Sequence, residues 1–236
     1  MKIKKIDFKK IISAVVFLSF VFTTGYLLAK IIVPSETTEE TLNLKSDYIF
    51  LLSQCLIGII CMFLPGFLAK KIRIHIPSTT YLIYVLFLYC TLFLGEIRNF
   101  YYSVPHWDTI MHTFSGVIIG ALGFSVLSLL NRDQHVTISL SPLFVALFAL
   151  CFATTVGVTW EIFEFLADST IGSNMQKFAL EDGTLLIGHA ALTDTMKDII
   201  VDVLGSLVAS VLGYISLKYK HGKFERLFDL IEFDET

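Results

Sequence analysis

Six long apolar segments constrain this chain more than any other feature of its sequence. Each has the roughly 20 residues that an α-helix needs to cross a bilayer. They cover residues 11–33, 48–69, 79–97, 109–130, 142–167 and 195–217. Charged residues make up only 17% of the 236 residues, whereas a soluble domain has roughly 25%. The sequence therefore predicts an all-α, polytopic membrane protein, with residues 1–236 forming a single integral membrane domain.

Lysine and arginine are distributed unevenly between the connecting segments, and this distribution predicts the orientation of the chain. Thirteen of them fall in the N-terminal tail, the 70–78 loop, the 131–141 loop and the C-terminal tail. The alternate loops hold three, which are Lys45, Arg98 and Lys177. Because positively charged loops stay on the cytoplasmic side of a membrane, both termini are expected in the cytoplasm.

Ionisable residues recur inside the last three spans. They form the patterns Asp108-x3-His112, Glu161-x2-Glu164 and Asp194-x3-Asp198-x3-Asp202. Such a side chain inside a membrane costs a few kcal/mol or more unless it is paired, so it points to function. In the predicted orientation, all of these residues lie toward the outer ends of their helices. With a rise of about 1.5 Å per residue, His112, Glu164 and Asp198 share one layer about 6 Å below the mouth.

Small residues lie on the same helix faces as these acids, at spacings of three, four and seven. Gly116 and Gly120 follow His112, while Gly205, Ala209 and Gly213 follow Asp202. On the fifth span, Thr154 and Gly157 precede Glu161. Small residues at this spacing let helices approach closely in lipid. The fourth, fifth and sixth spans are therefore predicted to pack together below a polar pocket that opens outward.

The pocket holds more acids than its few cations can neutralise, and a bound divalent metal ion would balance them. Carboxylates and imidazole suit magnesium, calcium, manganese, zinc or iron. We expect His112, Glu164 and Asp198 to be ligands, with Asp194 as a further candidate ligand. Glu161 or Asp202 is the expected acid or base, and Asp108 is a third catalytic candidate. Asp194 and Asp202 are about 12 Å apart along their helix and should not share one ion.

The helix ends offer a simpler account of some residues. Asp108 and Asp194 are predicted at helix starts, where an acid stabilises the N-terminus. Asp168 is predicted at a helix end that faces water. The 168–194 connector, which contains His189, is long enough to be a lid or a binding segment, and a free surface loop is the alternative.

Three functions fit the pocket at this point. A metal ion and a spare carboxylate could hydrolyse or transfer part of an envelope lipid or lipid-linked glycan. Chains of Asp, Glu and His also carry protons or cations in transporters. The third account is a non-catalytic protein whose protonated acids are hydrogen-bonded across helices. Nucleic acid is not an expected partner, since the basic residues lie in the tails and loops that set the orientation.

The three motifs resemble those of the VanZ-like family of small bacterial membrane proteins, and more closely those of its YjdF-like relatives. Asp108 and His112 match an Asp-x3-His that opens a helix. Glu161 and Glu164 match a Glu-x2-Gln in part, and Asp198, Asp202 and Gly205 match an Asp-x3-Asn-x2-Gly in part. The two departures, Glu164 and Asp202, make this pocket more acidic. The resemblance covers about 107–213 and implies a multi-pass protein of the bacterial plasma membrane and cell envelope, with an association with glycopeptide antibiotic resistance.

Overall fold

The structure, a computed structural model, describes residues 8–33, 39–132, 140–180, 182–219, 230 and 232–233. It is almost entirely helical. In chain order its elements are α1 (Phe8–Ile32), α2 (Glu39–Ile72), β1 (Ile74–His75), α3 (Ser78–Leu88), a π-helix (Tyr89–Ile97), α4 (Phe100–Ser103), α5 (Trp107–Arg132), α6 (Pro142–Ile171), α7 (His189–Tyr219) and β2 (Glu232–Phe233).

Six helical segments in the described part of the chain are long and apolar enough to cross a membrane, which confirms the six predicted spans. They are α1, residues 47–72 of α2, α3 together with the π-helix, residues 107–127 of α5, α6 and α7. Among the candidate spans, the largest differences from the prediction are at the ends of the last two. α6 continues to Ile171 and α7 already begins at His189, so the connector between them is shorter than expected.

The helices group into two compact units, one within Met1–Trp107 with Glu232–Thr236 and the other within Asp108–Ile231. In the first unit, α1, α2 and α3 pack around Phe20, Cys55 and Val85, whose side chains are fully buried. β1 pairs with β2 in antiparallel register, with Ile74 opposite Phe233. A single integral domain over residues 1–236 stays a prediction.

The second unit contains α5, α6 and α7, and local sequence signals set the ends of α6. The Ser141 hydroxyl accepts a hydrogen bond from the backbone N–H of Phe144 (3.3 Å), and Pro142 occupies the first turn. Both features are typical of helix starts. At the other end, Gly172 has φ +70°, a left-handed conformation that glycine adopts without strain. The chain therefore leaves α6 at a defined point, next to the acidic ends of the three helices.

Candidate functional site

The acidic motifs of α5, α6 and α7 meet at one end of the second unit. α6 runs opposite to its two neighbours in this unit, so its C-terminal half lies beside the N-terminal halves of α5 and α7. Five polar side chains are buried there, with 3–8% of their surface exposed: His112, Glu161, Glu164, Asp198 and Asp202. Burying so many ionisable groups is costly unless they are paired or bind a cation.

Glycines bring α5 and α7 into direct backbone contact at this site, and bring α6 close to the side chain of Asp202. A Cβ atom added at Gly116 of α5 would overlap the backbone oxygen of Asp202 in α7. One added at Gly205 of α7 would overlap the backbone oxygen of Thr113 in α5. A Cβ at Gly157 of α6 would lie 2.8 Å from the Asp202 carboxylate. These contacts confirm that the small residues mark the faces on which the three helices pack.

His112 is held by the carboxylate of Asp202. The Nδ1 atom of His112 lies 3.1 Å from Asp202 Oδ2, and the Ser115 hydroxyl donates to Asp202 Oδ1 at 2.5 Å. In the tautomer that donates to this carboxylate, the ring hydrogen is on Nδ1. The other nitrogen, Nε2, lies 3.7 Å from Asp108 Oδ1. In the neutral imidazole, Nε2 then keeps its lone pair and is available, together with the neighbouring carboxylates, to a cation.

Two groups of potential metal ligands share His112. In the first, His112 is joined by Asp108 and Asp198, and in the second by Glu161 and Glu164. Within each group, one ligand atom from each residue lies within 4.8 Å of the others. The first group draws on α5 and α7, and the second draws on α5 and α6. His112 thus lies at the point where the two sets of carboxylates meet.

Glu161 has the least satisfied side chain in the site. Only 3% of its surface is exposed, and neither carboxylate oxygen has a hydrogen-bond partner among the described residues. The Gln176 amide lies close by but donates to the backbone oxygen of Glu161, at 3.4 Å. Glu164 differs, because the Trp160 indole donates to its Oε1 at 2.8 Å. A buried carboxylate without a partner is rare in native proteins and calls for a proton, water or ion.

Lys177, in the loop between α6 and α7, supplies a cation that the sequence prediction missed. Its ammonium contacts the carboxylate of Asp108 and lies 3.2 Å from Asp194 Oδ1. Burial disfavours the charged ammonium, but the Asp108 and Asp194 carboxylates outweigh that effect and raise the pKa of Lys177. Lys177 therefore stays protonated at neutral pH. In the sequence, the positive charge of Lys177 among acidic residues was a signal for this pairing. Its position in a loop gave no indication that its side chain is largely buried.

Asp168 holds the beginning of the same loop. Its carboxylate accepts hydrogen bonds from the Ser173 hydroxyl (2.6 Å) and from the backbone N–H groups of Met175 (2.8 Å) and Gln176 (3.0 Å). The Gln176 amide also donates to the Thr195 hydroxyl of α7, at 2.9 Å. The expectation that Asp168 simply faces water is therefore wrong. Because α6 extends past residue 167, Asp168 lies within its last turn. There its carboxylate can accept hydrogen bonds from the loop that follows the helix.

Replacing Asp168 with alanine is expected to loosen the loop, since two backbone N–H groups and one hydroxyl lose their acceptor. Each lost hydrogen bond to a carboxylate contributes about 1.5–3 kcal/mol. Limited proteolysis should then cut within 173–188 faster in Asp168→Ala than in the unsubstituted protein. Asp182→Ala is the matched control, because Asp182 is exposed and its carboxylate accepts a hydrogen bond from the backbone N–H of Thr184, two residues further on in the same loop. Equal cleavage of the two variants would contradict this role for Asp168.

The other predicted ligand residues lie near His112, but they do not form the single group that the sequence predicts. Glu164 and Asp198 each share a ligand group with His112, but not the same group. Asp194 belongs to neither group in the described part of the chain and pairs with Lys177 instead. It also does not lie at a helix start, because α7 begins five residues earlier at His189. His189 is exposed. The metal-ligand and catalytic roles of all these residues stay predictions.

Comparison with known proteins adds a family and one distant relative. The family model for "Predicted membrane protein (DUF2238)" matches residues 10–219. A Thermotoga maritima protein that is named only as an uncharacterized protein is 27% identical over 165 residues, which cover 69% of this chain and 74% of the relative. No solved structure matches. The family match runs from α1 to the end of α7 and therefore includes every residue of the site.

Proposed function

Since the chain belongs to the DUF2238 family of predicted membrane proteins, we propose from its own residues that it is a metal-dependent enzyme within the membrane. Its substrate is an envelope lipid or a lipid-linked glycan, and its reaction is hydrolysis or group transfer. The site at the ends of α5, α6 and α7 binds one divalent cation through the Nε2 atom of His112 and neighbouring carboxylates. A cation bound there would polarise a carbonyl or phosphoryl oxygen and activate a water molecule.

The observation that carries this proposal is the carboxylate of Glu161, which has no hydrogen-bond partner among the residues that the structure describes. It is buried beside His112 and Glu164, where an ionised acid without a counter-charge is unstable. Carboxylates combined with one imidazole form a donor set that divalent metals prefer. The carboxylates not engaged by the ion are available as general base, and Glu161 and Asp202 remain the proposed acid or base, with Asp108 as the third candidate.

The contact between Asp202 and His112 supports the same assignment. Ligating histidines usually donate their second ring N–H to a carboxylate, which orients the ring and makes the ligating nitrogen more basic. Asp202 lies in this position at Nδ1 of His112, and Ser115 in turn orients Asp202. Asp202 would then act on the metal through His112 and need not bind it directly. This role differs from that of Asp108, which lies on the Nε2 side.

The proposed location is the plasma membrane of a bacterium, with both termini in the cytoplasm and the site open to the outside. The uneven distribution of lysine and arginine supports this orientation. The resemblance of the three motifs to the VanZ-like family and its YjdF-like relatives supports an envelope role. An outward site at the membrane boundary suits a substrate with an apolar tail and a polar head.

A proton- or cation-coupled transporter is the alternative, and the same Glu161 favours it. A buried carboxylate with no fixed partner can take up and release a proton, as acids in transporters do. Acid-driven proton or cation flux into liposomes that is lost in Glu161→Gln would favour transport over catalysis.

Metal analysis of the purified protein tests the proposal. After equilibration with Mn²⁺ or Zn²⁺ and removal of free ions, elemental analysis should find stoichiometric metal. His112→Ala is expected to lose this metal, with a fall in affinity of at least about 10–100-fold. Even substitution of a residue that only hydrogen-bonds to a metal ligand has an effect of that size. His189→Ala is the matched control, because His189 is exposed at the start of α7. Absence of metal from the unsubstituted protein, or equal metal in His112→Ala, would refute the proposal.

A further inference from the structure

Lys177 and the proposed metal ion depend on the same carboxylate. The Lys177 ammonium contacts Asp108 and lies 3.2 Å from Asp194 Oδ1. Asp108 is also one of the three residues of the ligand group that contains His112 and Asp198. The Lys177 side chain is only 24% exposed, so its ammonium is part of the site. The Lys177 ammonium and the proposed metal ion would therefore both bind the carboxylate of Asp108.

We propose that Lys177 sets the affinity of this site for divalent cations, by competing for Asp108. The inference rests on the proposed function. Without metal, the ammonium offsets part of the negative charge of Asp108 and Asp194. When a divalent cation binds Asp108, His112 and Asp198, the ammonium withdraws from Asp108. Lys177 thereby lowers the affinity of the site for metal. In the metal-free protein, it reduces the net negative charge of the site.

The competition follows from charge and distance. A divalent cation on Asp108 would lie within a few ångströms of the ammonium in its present position, and like charges at such distances in a poorly hydrated site repel strongly. Asp194 provides the place to which the ammonium can move. Its Oδ2 atom is buried and has no hydrogen-bond partner among the described residues. Asp194 can therefore accept the ammonium more fully while Asp108 binds the metal.

The loop couples this exchange to its own conformation. Asp168 fixes the two residues before Lys177 through their backbone N–H groups. Asn174 fixes the residue Ala179 just after it, by accepting from its N–H (3.0 Å) and donating to its oxygen (2.7 Å). Lys177 itself has φ +46°, a conformation that a lysine adopts at some cost. When the ammonium leaves Asp108, the loop loses this contact with α5 and keeps the one with Asp194 of α7, so metal binding should loosen the loop.

The test is a Mn²⁺ titration of the full-length protein in lipid nanodiscs, with free Mn²⁺ measured by electron paramagnetic resonance. Lys177→Met should bind Mn²⁺ at least about tenfold more tightly than the unsubstituted protein, because a competing charge is removed. Lys177→Arg keeps the charge and should stay near the unsubstituted value. Lys197→Met is the matched control, since Lys197 is exposed on α7 next to Asp198 and its loss should leave the affinity unchanged.

A second measurement needs no substitution, in case Lys177→Met does not fold. Hydrogen exchange of the backbone amides in 173–180 should become faster when Mn²⁺ is added to the unsubstituted protein. Unchanged or slower exchange there, or unchanged or weaker Mn²⁺ binding by Lys177→Met, overturns the inference while the metal site itself stands. If neither the unsubstituted protein nor Lys177→Met binds Mn²⁺ or Zn²⁺, the proposed function fails, and this inference fails with it.

Discussion

Gly205→Ala is expected to destabilise the protein by about 1–3 kcal/mol or more, the usual cost of overpacking a close contact. The added Cβ would overlap the backbone oxygen of Thr113 in α5. Backbone cannot move aside as a flexible side chain can, so α5 and α7 must separate along their contact. Gly116→Ala should have a similar effect, because its Cβ would overlap the backbone oxygen of Asp202. Thermal unfolding in detergent, followed by circular dichroism, measures both changes.

Gly66→Ala is the matched control for these two variants. Gly66 lies inside α2, and an added Cβ there would meet no atom within 4 Å. Alanine is a better helix former than glycine by about 0.5–1 kcal/mol, so this substitution should leave stability unchanged or raise it. If Gly205→Ala and Gly116→Ala unfold like Gly66→Ala, close backbone contact is not what holds α5 and α7 together.

Glu161→Met is expected to have opposite effects on stability and on metal binding. It replaces a buried carboxylate that has no hydrogen-bond partner in the described part of the chain with an apolar side chain of similar length. Relief of an unsatisfied buried group should stabilise the metal-free protein by about 1–3 kcal/mol. The same change removes one carboxylate from the group that Glu161 forms with His112 and Glu164. The stabilisation that added Mn²⁺ gives to the unsubstituted protein should therefore shrink or disappear.

The two effects are separated by unfolding each variant with a chelator and with excess Mn²⁺. Glu161→Gln serves as the comparison, because it keeps the shape and polarity of the side chain but not its charge. It should gain less stability than Glu161→Met in chelator and should also lose the response to Mn²⁺. A Glu161→Met variant that is less stable than the unsubstituted protein in chelator would mean that the carboxylate is already satisfied in the folded state.

Hydropathy and helix periodicity were sufficient to predict most of the fold. The six spans follow from segment length, because a membrane leaves a helix few alternatives. The packing of α5, α6 and α7 follows from glycines repeated on one face, such as Gly116 and Gly205. Helix ends were harder to predict. The residues that extend α6 to Ile171 and begin α7 at His189 are more polar, so hydropathy understated both helices.

The site could be predicted only in part, for a geometric reason. Helical rise gives the depth of each acid, and depth correctly brought His112, Glu164 and Asp198 into the same region. Depth does not give the rotation of each helix, and rotation decides that Asp198 and Glu164 join His112 in separate groups. The place of Lys177 in the site could not be predicted from periodicity, because it depends on the path of a loop, although its positive charge among acidic residues was a signal. Ser115, by contrast, is three residues from His112 and could have been found on the same face.

The contact of Gly116 and Gly157 with Asp202 has a consequence for how this protein can evolve. In many proteins the reactive groups stand on loops that vary while a separate scaffold stays fixed. Here the backbone and carboxylate of one acid also form the surface against which two neighbouring helices pack. A substitution of Asp202 that alters the chemistry of the site therefore also changes the packing of the helices. A substitution that changes the packing in turn moves the acidic side chains. We expect lineages to diversify through the α6–α7 loop, which can change without repacking the three helices.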